Sequence, residues 1–267
     1  MAQKQPPGAP PPPAVQKLRL RYTKRGRLRF TSHRDIARAF ERALRRAQVP
    51  MAYSAGFSPH PKISWVGAAP TGVASEAEYV EISVVERVDL GRLQAALDES
   101  LPAGIDVVEV VEAPTGTNLP DRVQASAWGV RLPQVPLADA ERAVEAFLAT
   151  ESLLVTRLMK DGRRELDARA AVVSMRAAWD DTGVPCATLH LVVRHVTPAV
   201  RPDDVLSGLR SVADLVPPVP PEATRYAQGP LTVDGEVGDP LAPDRPNADG
   251  ATRAVADLEQ AVAGVPS

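Results

Sequence analysis

Apolar and basic positions alternate from Lys17 to Thr23, with Leu18, Leu20 and Tyr22 on one side and Lys17, Arg19 and Arg21 on the other. A period of two predicts a half-buried strand with a cationic outer face. Gly26 permits a turn in the following KRGRLRF. The period then changes. Ile36, Phe40, Ala43, Leu44 and Ala47 recur at helical spacing. Ser32 can cap that helix while Asp35, three residues on, completes a capping box, and Pro50 ends it. Strand patterns follow over 62–69 and 79–86, then a short helix over 89–100 striped by Leu90, Leu93 and Leu97, then a strand over 104–111.

Strand, helix, strand, strand, helix, strand over 17–112 predicts a split βαβ, ferredoxin-like unit. After a linker at 113–124 the pattern recurs, with strands near 126–132, 153–159, 171–179, 187–193 and 223–232, and helices near 137–150 and 202–212. Asp161-Gly162 marks a hairpin turn. We therefore expect an α+β chain of two ferredoxin-like halves, 16–113 and 125–232, with antiparallel sheets and helices on one face. A disordered Pro-rich leader at 1–15 and a disordered acidic tail at 233–267 should flank them.

Charge changes this picture. The chain holds 31 Lys+Arg and 33 Asp+Glu, yet twelve of the basic residues and only two acids lie between Gln16 and Arg46. Such segregation marks the docking place of a polyanion or an acidic partner, or else a solvated basic face. Arg34, Arg38, Arg42 and Arg45 form a ridge on the helix, about 200° around from the apolar stripe. Like charges at this spacing cost helix stability, a cost that a bound anion would offset.

The stretch MAYSAGFSPHPKISW holds His60 between Pro59 and Pro61, so His60 and Lys62 sit in a stiff extended loop. Tyr53, Phe57 and Trp65 are three of the chain's eleven aromatic residues. Rings beside rigid basic groups suit an unpaired base or another flat ligand; the alternative is that these rings are core. Glu76 and Glu78 share parity with the apolar face of the next strand, as acid/base candidates or as partners of nearby arginines. Arg157, Lys160, Arg163, Arg164 and Arg169 form a second basic cluster around the predicted hairpin.

Cys186 is the only cysteine, so no intramolecular disulfide and no cysteine-held cluster can be built from this chain, and a reduced, cytoplasmic setting is expected. His33, His60, His190 and Cys186 lack tight ligand spacing, so no metal site and no cofactor are expected. No apolar run reaches a membrane span, and MAQKQPPGAPPPPAVQ lacks the apolar centre of a signal peptide. No Gly-rich phosphate loop, nucleophile elbow or HExxH is present, so no catalytic residue is assigned.

The runs RLRFTSHRDIARAFERALRRAQVPMAYSAGFSPHPKISW and PTGVASEAEYVEI resemble the radical-SAM-associated domain of unknown function, whose members are fused to or encoded beside cobalamin-binding radical SAM proteins. The family's helix start maps onto Ser32, His33 and Asp35. Its loop maps onto Tyr53, Ser54, Gly56, Phe57, Pro59, His60, Pro61 and Lys62, and its later turn onto Gly72, Ser75, Glu76 and Glu78. A weaker pattern maps onto Lys160, Asp167 and Arg169. The resemblance covers about residues 17–212 and implies a radical SAM protein as partner. The expected function is RNA-binding and accessory. Lys17, Arg19, Arg21, Lys24, Arg27, Arg29, Arg34, Arg38 and Arg42 would contact phosphates, and Tyr53, Phe57, His60 and Lys62 would hold a nucleotide. The rivals are a ribonuclease-like enzyme using His33 or His60, and a protein-only adaptor.

Overall fold

The computed structural model describes residues 10–159, 162–181 and 184–246. The fold is mixed α+β around one eight-stranded sheet in which antiparallel pairing dominates. In chain order its elements are β1 (Gln16–Lys24), α1 (His33–Arg46), β2 (Ile63–Val66), β3 (Ala74–Val84), α2 (Leu90–Ser100), β4 (Val107–Glu112), β5 (Ala125–Leu132), α3 (Leu137–Leu148), β6 (Leu154–Met159), β7 (Gly162–Asp167), α4 (Ala168–Ala171), β8 (Val172–Asp180), β9 (Cys186–Arg194), α5 (Pro202–Ala213) and β10 (Glu222–Gly229). Strands run β4-β1-β3-β10-β5-β9-β8, with β2 on β3; β6 and β7 form a separate hairpin.

The helices pack on the sheet in two apolar cores. Ile36, Phe40 and Leu44 of α1 and Leu93 and Leu97 of α2 pack on Leu18, Leu20 and Tyr22 of β1 and Val80 and Ile82 of β3. Phe147 of α3 and Val205 and Leu209 of α5 pack on Val130 and Leu132 of β5 and Leu189 and Leu191 of β9. The cores meet where β3 and β10 share a short parallel register, Thr224 opposite Ala74 and Arg225 opposite Ser75. Gly72, at φ +92°, turns the chain into β3, and its amide donates to the Arg29 carbonyl at 2.7 Å.

Three expectations are corrected. First, β3 begins at Ala74, five residues before the predicted strand, so Glu76 and Glu78 lie within it. Second, the acidic tail is not disordered from residue 233. Leu231 bridges Val237, Leu241 is fully buried, and Ala242–Asp244 form a 3-10 turn; the chain from 247 on lies outside the described residues. Third, the cationic face of β1 is not an outer face. Leu119, Val123 and Leu241 pack against Val66, Ala77, Tyr79 and Val111 on that side of the sheet. Arg19 is fully buried there, with its guanidinium on Glu81 at 2.9 Å and Asp244 at 2.8 Å. A buried arginine needs such partners, because an unpaired charge in this setting costs several kcal/mol.

Candidate nucleic-acid interface

Helix α1 starts as its sequence predicts. Ser32 Oγ accepts from the Asp35 amide at 3.3 Å and donates to Asp35 Oδ2 at 2.7 Å, which holds a carboxylate at the positive end of the helix. The apolar stripe faces the sheet, so Arg34, Arg38, Arg42, Arg45 and Arg46 all project into solvent. Arg38 approaches Asp35 at 3.5 Å. Among the described residues no carboxylate reaches ion-pair distance of Arg34, Arg42, Arg45 or Arg46. Apart from Arg38, the ridge is therefore a row of cations with no ion pair among the described residues.

The strand cations behave differently. Lys17 meets Glu81 at 2.8 Å, Arg25 meets Glu76 and also Asp106 at 3.0 Å, and the Arg21 guanidinium donates to the Glu76 carbonyl at 3.0 Å. Lys24 is buried and donates to the Pro70 carbonyl at 3.1 Å. Arg29 donates to the Gly72 carbonyl at 3.1 Å and lies over the Phe30 ring at 5.2 Å. The expectation that these residues contact phosphates is corrected for Arg19 and Lys24, which are inside the fold.

The histidine loop is braced at its base. Ala52 N donates to Ser83 O of β3 at 2.8 Å, Ser83 N donates to Lys62 O at 3.1 Å, and Lys62 N donates across the loop to Ala52 O at 2.8 Å. Ser54 closes the loop twice, by its amide on the His60 carbonyl at 2.8 Å and by its hydroxyl accepting the His60 amide at 3.0 Å. This leaves His60 and Lys62 exposed, with Phe57 67% and Tyr53 45% exposed. Trp65 instead turns inward, its ring edge-on to Phe40 at 5.2 Å and Tyr22 at 6.0 Å. His33 packs edge-on to the same indole at 5.1 Å.

Helix and loop enclose a cavity of about 410 Å³, lined by Glu41 and Arg45 of α1, by Gln48 just past its end, and by Tyr53, Pro59 and Pro61 of the loop. The end of the arginine ridge thus meets the aromatic, proline-braced loop. At the other end Phe30, just before the helix, is 65% exposed. The sequence reading missed Phe30; its place in a basic run directly before an N-cap was the available signal.

The remaining expected site residues are elsewhere. Glu76 is spent on Arg25. Glu78 is buried, accepts the Ala69 amide at 2.9 Å and pairs with Arg225, whose guanidinium lies over Trp128 at 5.4 Å. Asp167 caps α4 and accepts the Leu153 and Ala170 amides at 3.0 Å each. Arg169 donates to the Val172 carbonyl at 3.1 Å. Lys160 lies outside the described residues. His195, which the sequence reading left unassigned, donates from Nδ1 to the Val123 carbonyl at 3.0 Å, and its Nε2 accepts from Ser126 Oγ at 2.7 Å. Burial holds its imidazole below the usual histidine range, so it is neutral near pH 7. No group of three or more His, Cys, Asp or Glu among the described residues is placed to hold a metal ion, and none of their helices is long and apolar enough to cross a membrane.

The model of a family described as "Uncharacterized protein conserved in bacteria (DUF2344)" matches residues 17–202. The chain belongs to this family. In DUF2344 terms the matched region includes the whole of α1, the histidine loop and the sheet up to β9. No curated protein matches the chain. Among solved structures, DyPB from Rhodococcus jostii aligns at 12% identity over 74% of this chain and 84% of that one, with a TM-score of 0.22. The encapsulated DyP-type peroxidase from Mycobacterium smegmatis aligns at 12% identity over 86% and 94%, with a TM-score of 0.19. DtpA from Streptomyces lividans aligns at 12% identity over 88% and 94%, with a TM-score of 0.21. Likeness this slight carries no argument about this chain.

Proposed function

We propose that this protein is a non-catalytic RNA-binding accessory factor that presents RNA or ribonucleoprotein to a radical SAM partner in the cytoplasm. The observation that carries the binding half is the exposed arginine ridge of α1, paired among the described residues only at Arg38, ending at the cavity beside Tyr53 and Pro59. Exposed cations without carboxylates suit phosphates, and exposed rings suit unpaired bases. The partner half rests on the residues of the Ser32–Asp35 helix start and the Tyr53–Lys62 loop, which resemble the radical-SAM-associated family. The cavity takes in Tyr53, Pro59 and Pro61 from that loop, so ridge and loop act as one surface.

We further read the chain as two ferredoxin-like halves, 16–113 and 125–232. The order β4-β1-β3 with β2 on β3, and the order β10-β5-β9-β8, support this, with β6, β7 and α4 as an insertion in the second half.

The test is a triple replacement, Arg34→Ala, Arg38→Ala and Arg42→Ala, with binding to unstructured RNA followed by anisotropy between 50 and 200 mM salt. Each lost phosphate contact on single strands removes about 0.7 from the slope of log K against log salt, so the slope should fall by about 2. RNA retention at low salt unchanged in the triple variant would refute the ridge as the binding surface. Partner association that survives nuclease treatment, with no RNA retention, would favour the protein-only adaptor.

A further inference from the structure

The two faces of the sheet are treated unequally. On the side away from the helices, β1, β3 and β4 are covered by Leu119, Val123 and Leu241. The same side of β5, β8, β9 and β10 is approached by the 231–237 turn, whose Gly235 comes up to Val173 of β8, and beside that turn carries a cavity of about 450 Å³. Its floor includes the small and apolar positions Ala127 and Val192.

Across that floor runs one row of flat side chains. His190 on β9 stands directly opposite Gly129 on β5 and Arg176 on β8. Tyr226 occupies the bulge of β10 between Arg225 and Ala227, and its ring lies on Gly129. A Cβ at Gly129 would come within 2.5 Å of Tyr226 Cε2, so only glycine lets the phenol lie there. Phenol, imidazole and guanidinium therefore follow one another over four strands, a span of about 14 Å at the ordinary strand spacing.

The geometry points to this row as a second RNA surface, one that stacks unpaired bases of a single strand. The inference rests on the RNA-binding reading and adds a site remote in sequence from α1. The occupant follows from the chemistry of the row. Tyr226 is 44% exposed and offers a ring face. Burial, and then the Arg176 charge, lower the His190 pKa, so its ring is uncharged near pH 7 and can lie against a base. Arg176 is exposed, and among the described residues no carboxylate pairs with it, which leaves it for a phosphate. Glu236 at the rim repels phosphates from that edge and accepts the exocyclic amines of bases. A sheet face carrying stacking groups on adjacent strands is a general solution for single-stranded RNA.

The experiment uses the full chain and two probes, a trinucleotide too short to span both surfaces and a ten-nucleotide unstructured RNA carrying 5-iodouridine. Trinucleotide binding is read by the anisotropy of a 5′-labelled probe. Cross-links from the longer RNA should map to peptides holding His190 and Tyr226. Tyr226→Leu keeps an apolar cover on Gly129 but removes the ring, and should weaken trinucleotide binding by about tenfold or more. Trinucleotide binding is compared in the triple arginine background, where the first surface is weakened and a further loss on Tyr226→Leu reports the second surface alone. Cross-links confined to α1 and the 51–62 loop would overturn the second surface and leave the first standing. Unchanged trinucleotide affinity in Tyr226→Leu would overturn it too. Absence of all RNA binding would overturn both. Should Tyr226→Leu misfold, His190→Ala and the cross-link map of the parent chain decide.

Discussion

Glu78 tests whether a carboxylate that resembles a family motif binds substrate or holds the fold. It is 2% exposed and its partner Arg225 is 3% exposed, at the place where β3 and β10 join the two cores. Removing one partner of such a pair leaves a buried charge alone and costs about 3–5 kcal/mol. In Glu78→Gln the amide can still accept from Ala69, so the loss falls near about 3 kcal/mol, or roughly 6–12 °C in Tm for a chain of this size. Arg225→Met should cost about as much. The double variant removes both charges but keeps a buried amide without its partner, so it should lie within about 2 kcal/mol of the parent, well short of the sum of the two single losses. Lys24 supplies a second signature. Burial lowers its pKa, and Glu78 opposes that shift. Without Glu78 the folded pKa falls further below the unfolded one, so the unfolded state binds more protons and stability rises with pH between the two values. Urea titrations of the four proteins at neutral and alkaline pH measure all of this. Single effects that add to within about 0.5 kcal/mol would refute the coupling. Loss of RNA binding in Glu78→Gln at unchanged stability would return Glu78 to the ligand site.

Two further predictions concern other anchors. Asp244→Ala strips Arg19 and Arg122 of a shared carboxylate while Glu81 stays on Arg19, so the cost should be about 2–3 kcal/mol in urea midpoints, below the full range for a broken buried pair; a loss under about 1 kcal/mol would show that residues 239–246 do not clamp the sheet. Burial would raise the Asp167 carboxyl, but the Leu153, Ala170 and Arg169 amides and the Ser152 hydroxyl outweigh it and hold the pKa below the usual value. Its contribution is therefore complete above the unfolded pKa of about 3.9 and lost as pH falls through the folded one, so Asp167→Ala should cost about 1 kcal/mol at pH 7 and flatten the acid limb of stability, whereas an unchanged limb in pH-jump urea titrations would refute the assignment.

How far the sequence could be read depends on what decided each residue. Local rules decided α1, because its stripe, its Ser32 cap and its terminating Pro50 are all near neighbours in the chain. They also decided the exposure of the ridge, since a residue on the far side of an amphipathic helix has nowhere else to point. They failed at Arg19, whose alternation with Leu18 and Leu20 is that of a half-solvated strand. What buries it is Asp244, 225 positions away, on a segment whose acidic, Pro-rich composition looks like a tail. Such a segment carries little apolar surface of its own, so its order depends on one leucine and one carboxylate finding a prepared face. The row of Tyr226, His190 and Arg176 was illegible for the same reason. Its members come from three strands, and the glycine that makes room for it sits on a fourth. No spacing in the chain encodes that meeting; only the sheet's register does. A charge pattern therefore predicts a surface where a helix fixes both faces, and fails where a distant stretch of chain can cover one.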